Sequence, residues 1–72
     1  MTSFEDLVTK LNEEDLYTIQ TQYDAAMDTA HGSGEHWILL ATLNQKGFPV
    51  RSVEEAFETA ERIIILWRKL NS

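Results

Sequence analysis

Four side chains of types that bind zinc or nickel fall within nine residues of one another: Asp28, His31, Glu35 and His36. They belong to the stretch TAHGSGEHW (Thr29 to Trp37) and the residue before it, which also supplies Ser33. A metal site or a hydrolytic triad could in principle be built from these residue types. The spacing argues against the metal site. Asp28 and His31 can share a helix face, but adjacent Glu35 and His36 point about 100° apart if helical. No His-x-x-x-His or HExxH pair fixes two ligands by geometry. Asp28, His31 and His36 therefore stand only as weak metal candidates. Ser33 with His31 or His36 and Asp28 has the composition of a triad, yet a triad needs an oxyanion site within a pocket. A chain this small is expected to lack a pocket of ~300 Å³ or more. The expectation is no catalytic residue and no cofactor. On this reading the stretch is a joint: Gly32 and Gly34 stop one helix and Ser33 caps the next.

A second group of acids lies near the end of the chain. Glu55 and Glu58 form an E-x-x-E pair, with Glu54 and Glu61 nearby, a pattern that holds magnesium in some all-helical nucleotide hydrolases. On a helical wheel all four fall opposite the apolar stripe, so a solvated face is expected.

The elements that must position these groups are read from caps and periodicity. Thr2 with Glu5 predicts a capping box, followed by Phe4, Leu7, Val8 and Leu11 at helical spacing. Asn12 caps a second helix whose first turn is acidic, and whose stripe is Leu16, Ile19, Tyr23, Ala26, Met27 and Ala30. The segment EHWILLATLNQKG is apolar almost all round. It reads as a buried central helix closed by Gly47, with Phe48 packing back on Leu43. The alternative pairs strand 37–43 with strand 48–52, Pro49 restricting the second to an edge. Ser52 with Glu55 predicts a last capping box, before Val53, Ala56, Phe57, Ala60, Ile63, Ile64, Trp67 and Leu70 in one stripe. Glu58 and Arg62 form an (i, i+4) pair. The expected fold is all-α, a single domain over residues 1–72. It is a compact four-helix bundle of two short and two long helices, with α+β as the hairpin alternative.

One residue does not fit the core stripe. Ile65 lies about 120° from Val53 on the wheel, amid the polar face. Leu66 and Leu70 widen the stripe on its other flank. Tyr17 sits off its own helix's stripe beside Asp24 and Asp28. Aromatic residues are enriched at interfaces, and these six residues form the expected partner surface.

Composition sets the outer limits. Seventy-two residues without cysteine exclude disulfides and thiolate metal sites, and a core this small favours help from a partner. The missing cysteines fit a reducing cytosol, and the start MTSFEDLVTK lacks the basic and apolar regions of a secretory signal. The longest apolar runs, Trp37–Ala41 and Ile63–Trp67, are far below the ~20 residues a membrane span needs. A cytoplasmic protein is expected. The net charge of −6 is concentrated in residues 1–30, where Glu5, Asp6, Glu13, Glu14, Asp15, Asp24 and Asp28 face Lys10 alone. That balance repels phosphate backbones. The expected function is a non-enzymatic protein–protein interaction module: an adaptor, inhibitor or assembly subunit. It would be a homodimer or meet a basic partner, and its acidic surface could imitate nucleic acid. The alternative is a small metal-dependent or hydrolytic enzyme using the His31/His36 loop or the helix carboxylates.

Overall fold

Capping residues and a glycine stop set several helix boundaries in the computed structural model, which describes residues 3–29 and 34–72. The first helix, α1 (Phe4–Thr9), starts one residue later than Thr2 would place it. Ser3 is the cap: its Oγ accepts from the Asp6 N–H at 3.1 Å, and the Asp6 carboxylate accepts from the Ser3 N–H. The expected Thr2–Glu5 box is thereby replaced, with Thr2 itself outside the described residues. Ser3 and Asp6 have the same three-residue spacing, and only backbone register separates the two choices.

Asn12 caps α2 (Glu13–Met27), accepting from the Asp15 N–H at 2.7 Å while Asp15 accepts from the Asn12 N–H at 3.2 Å. The helix buries Leu16, Ile19 and Ala26. Met27 falls off the expected stripe and is exposed, because α2 ends there and its neighbours cover only the Ala26 side. Ala30, Gly32 and Ser33, to which the sequence assigns the end of one helix and the cap of the next, lie outside the described residues. Gly34 opens α3 (Gly34–Gln45) rather than ending α2.

Residues 37–43 are helical, and no strand occurs among the described residues, so the hairpin alternative falls. The stop signal is a Schellman motif. Gly47 adopts φ +99°, the Phe48 N–H donates to the Leu43 carbonyl at 2.9 Å, and the Gly47 N–H donates to Asn44. Phe48 is buried. Asn44 fixes the chain that follows, donating to the Val50 carbonyl at 3.0 Å and accepting from the Val50 N–H. Ser52 then caps α4 (Val53–Leu70) through the Glu55 N–H. Only half of the expected box forms, since the Glu55 carboxylate accepts from the Arg51 N–H instead.

Helix α2 runs antiparallel to α3 and α4. Lys46, just past α3, meets Asp15 at the start of α2, and Arg68 near the end of α4 meets Gln20. These three helices pack on one another, while α1 packs on α4. Ile19, Leu39, Leu43 and Ile63 are fully buried between them. Ala26, Ala56 and Ala60 are also fully buried and present no side chain beyond Cβ, which lets backbones approach. Val8 and Phe48 extend the core under α1, where the Phe4 and Phe48 rings meet edge to face at 5.7 Å. The observed architecture is an all-α bundle of four helices, and no described helix is long and apolar enough to cross a membrane.

Candidate functional site

The histidine-rich joint does not assemble a metal centre among the described residues. His36 belongs to α3 and is 1% exposed, held against the Phe57 ring with centroids 5.0 Å apart. It occupies a core position because His36, Leu39 and Leu43 follow one another at helical spacing on the buried face of α3. Asp28 caps the end of α2 and is exposed, while Glu35 is half-buried. His31 and Ser33 lie outside the described residues. No group of three or more His, Asp or Glu that could hold a metal occurs among the described residues.

What the bundle does form beside this joint is a groove of about 400 Å³ between α2, α3 and α4. The groove is open to solvent, unlike the enclosed pocket that a triad needs. Its floor is Ala26 and His36, both buried. Its walls are Tyr23 and Phe57, half-buried rings meeting edge to face at 5.7 Å. Glu54, Glu58 and Glu61 stand along its mouth with exposed Met27. The helix carboxylates are thus solvated as the wheel predicts, yet three of the four border a cavity. The (i, i+4) partner expected for Glu58 is absent. Arg62 instead lies over the Phe4 ring, 4.4 Å from its centroid, a cation–π contact that draws the guanidinium toward α1. Burial raises the pKa of Tyr23 first, and the negative charges of Glu61 and Asp24 push it further in the same direction.

The six residues expected to form a partner surface are distributed over separate places. Ile65 is 60% exposed and lines a second, shallower groove with Leu66 and Phe4, flanked by Arg62 and Lys69. Leu70 is largely exposed too, because the last turn of α4 outruns its neighbours. Tyr17 is 73% exposed and borders a different recess with Trp67, near Glu13 and Glu14. Asp24 and Asp28 are exposed on α2. Ile65 and Leu66 therefore sit together, while Tyr17, Asp24 and Asp28 belong elsewhere.

Two large apolar residues were missed by the sequence. Trp37 and Ile38, expected inside a buried central helix, are 56% and 53% exposed. Only the His36–Leu39–Leu43 side of α3 meets the bundle, and that stripe was visible once His36 is allowed a core position. No family model, no curated protein and no solved structure matches the chain.

Proposed function

We propose that this protein is a non-enzymatic helical interaction module that self-associates through the C-terminal half of α4 and offers its acidic surface to a basic partner. The observation that carries the reading is Ile65, exposed on a helix whose outward charges change sign along its length. Glu54, Glu58 and Glu61 precede it, and Arg62 and Lys69 surround it. Two copies of α4 laid antiparallel across Ile65 place Glu61 of each level with Lys69 of the other. Ile65 and Leu66 then leave water together. A stable interface takes about 800 Å² from each partner, roughly a sixth of the 4826 Å² this chain exposes. The acids of α1 and α2 remain outward in such a pair and favour a partner of opposite charge.

Light scattering is the direct test. The expected mass at high micromolar concentration is twice 8.3 kDa, and a clean monomer there removes the self-association reading. Ile65→Glu is expected to give that monomer with helical circular dichroism unchanged. Unfolding of the variant would show instead that Ile65 is part of the core.

A further inference from the structure

The outer face shared by α2 and α3 has no exposed charge along its middle. Glu35 is the single charged residue of α3. The outward side chains that follow it, Trp37, Ile38, Ala41, Asn44 and Gln45, are exposed and uncharged. Across from them, Thr21, Gln22 and Ala25 of α2 border Glu35 and Ile38 around a recess of about 200 Å³. That is below the ~300 Å³ where small-molecule sites begin, and it suits one inserted side chain. Gln22 Oε1 is buried beside the recess without a hydrogen-bond partner. A donor brought by an inserted side chain would remove that cost.

Charge returns at the ends of the face. Glu14 and Asp28 lie seven residues on either side of Thr21, on its own line of α2. They are about 21 Å apart, fourteen residues at 1.5 Å each. Glu35 stands at the Asp28 end, where α3 begins. An uncharged centre holding an exposed Trp, with charge confined to the rim, is the anatomy of a protein interface. The rim is acidic at both ends, so a second copy of this net −6 chain would bring acids to acids. Two adjacent antiparallel helices offer a groove that a third helix can occupy.

We propose that the α2–α3 face docks one amphipathic helix of a partner protein. The apolar side of that helix covers Trp37 and Ile38 and puts one side chain into the recess. Its Lys or Arg residues near each end meet Glu14 at one end and Asp28 with Glu35 at the other. The proposal rests on the reading of a basic partner given above and assigns that partner a place, apart from the Ile65 seam.

Nitrogen-15 NMR tests this at a protein concentration where light scattering shows a single species. The probe is a synthetic helical peptide with Leu along one face, Trp at its middle, Gln elsewhere and Lys near both ends. Its counterpart carries Glu in place of every Lys. The lysine peptide is expected to shift the Thr21, Ala25 and Ile38 amides and the Trp37 indole saturably, at least tenfold more tightly than the counterpart. Trp37→Ala is expected to weaken binding at least tenfold with circular dichroism unchanged. The Glu14→Gln/Asp28→Asn double variant should weaken it a few-fold, and Ile65→Glu should leave it unchanged. Saturable binding that maps to α1 or α4 and survives Trp37→Ala would overturn the docking face while keeping the basic-partner reading. Equal binding of the glutamate peptide, or no saturable shift with either peptide, would overturn both.

Discussion

The two ends of the bundle are held together by different forces. At the end formed by α1, the start of α2 and the ends of α3 and α4, polar bonds join distant parts of the chain. Lys46 Nζ lies 2.7 Å from Asp15 Oδ1, the Trp67 indole N–H donates to the Leu11 carbonyl at 3.2 Å, and Arg68 donates to Gln20 at 2.9 Å. At the opposite end, where α2 stops and α3 begins, the ring contacts of Tyr23 with Phe57 and of Phe57 with His36 join the helices. That end also carries the three glutamates of the groove and exposed Met27. The first end specifies the fold, because hydrogen bonds and a Schellman stop fix both direction and register. The second end keeps like charges together around a cavity, an arrangement that adds nothing to stability.

Breaking the core under the tied end should have the largest effect. Phe48→Ala removes a buried ring that meets Phe4 and closes the Schellman motif. The expected loss is about 3–5 kcal/mol, comparable with the whole stability of a domain this small. Met27→Ala at the other end changes an exposed side chain and should cost within about 0.5 kcal/mol. Urea unfolding of the two variants compares the ends directly, and similar losses would erase the distinction. Trp67→Phe comes next. It keeps most of the ring's packing but strips a donor from the Leu11 carbonyl, for an expected loss of about 1 kcal/mol.

The tied end was also the more legible in the sequence. Asn12 with Asp15, Gly47 with Phe48, and Ser52 ahead of α4 are local signals, each complete within a few residues, and each places its cap or stop correctly. Where two possible caps stand side by side, the Thr2–Glu5 spacing points to the wrong one, and Ser3 with Asp6 forms the box. The groove was not legible, because it is a property of three helices at once. Tyr23 and Phe57 each read as ordinary stripe residues, and only the antiparallel packing of α2 on α4 brings their rings together. Arg62 was assigned to Glu58 by spacing, since a contact with Phe4 depends on where α1 folds back. His36 misled in the other direction. Its chemistry suggested a loop ligand, while its spacing with Leu39 and Leu43 marked it as core. Ile65 is the converse case, where spacing alone indicated exposure.

A smaller effect separates the ends by charge. Lys46→Met removes the strongest of the influences that hold the Asp15 carboxyl below its usual pKa. The N–H of Asn12 remains as the second. A depressed carboxylate pKa stabilises the fold above the ordinary value near 3.9 and loses that contribution as pH falls through the folded-state value. The variant is expected to be less stable at pH 7 by about 0.5 kcal/mol, the scale of a largely solvated pair. The gap should close as pH falls through the folded-state value of Asp15 and shrink in high salt. A gap that persists at low pH would assign the loss to packing of the lysine stem instead of charge.

The smallest expected change has the opposite sign, and it is the sharpest comparison of the two ends. Glu61→Gln takes one carboxylate from the mouth of the groove and one negative charge from beside Tyr23. Removing a like charge from Glu54 and Glu58 should leave stability equal or raise it by up to about 0.5 kcal/mol. The pKa of Tyr23 should fall but stay above its usual value, because burial is the larger cause and persists. Since the folded state keeps the Tyr23 proton longer than the unfolded chain, stability declines as pH rises past about 10. The variant should decline less. Tyrosinate absorbance in a Tyr17→Phe background reads the first effect, and urea unfolding at pH 9 and 11 the second. A loss of stability at pH 7 would mean that Glu61 holds the bundle together as Asp15 does, and that the acidic end is as much a part of the scaffold as the tied one. A gain would mean that the three carboxylates repel one another without supporting the fold, so that only the tied end acts as scaffold.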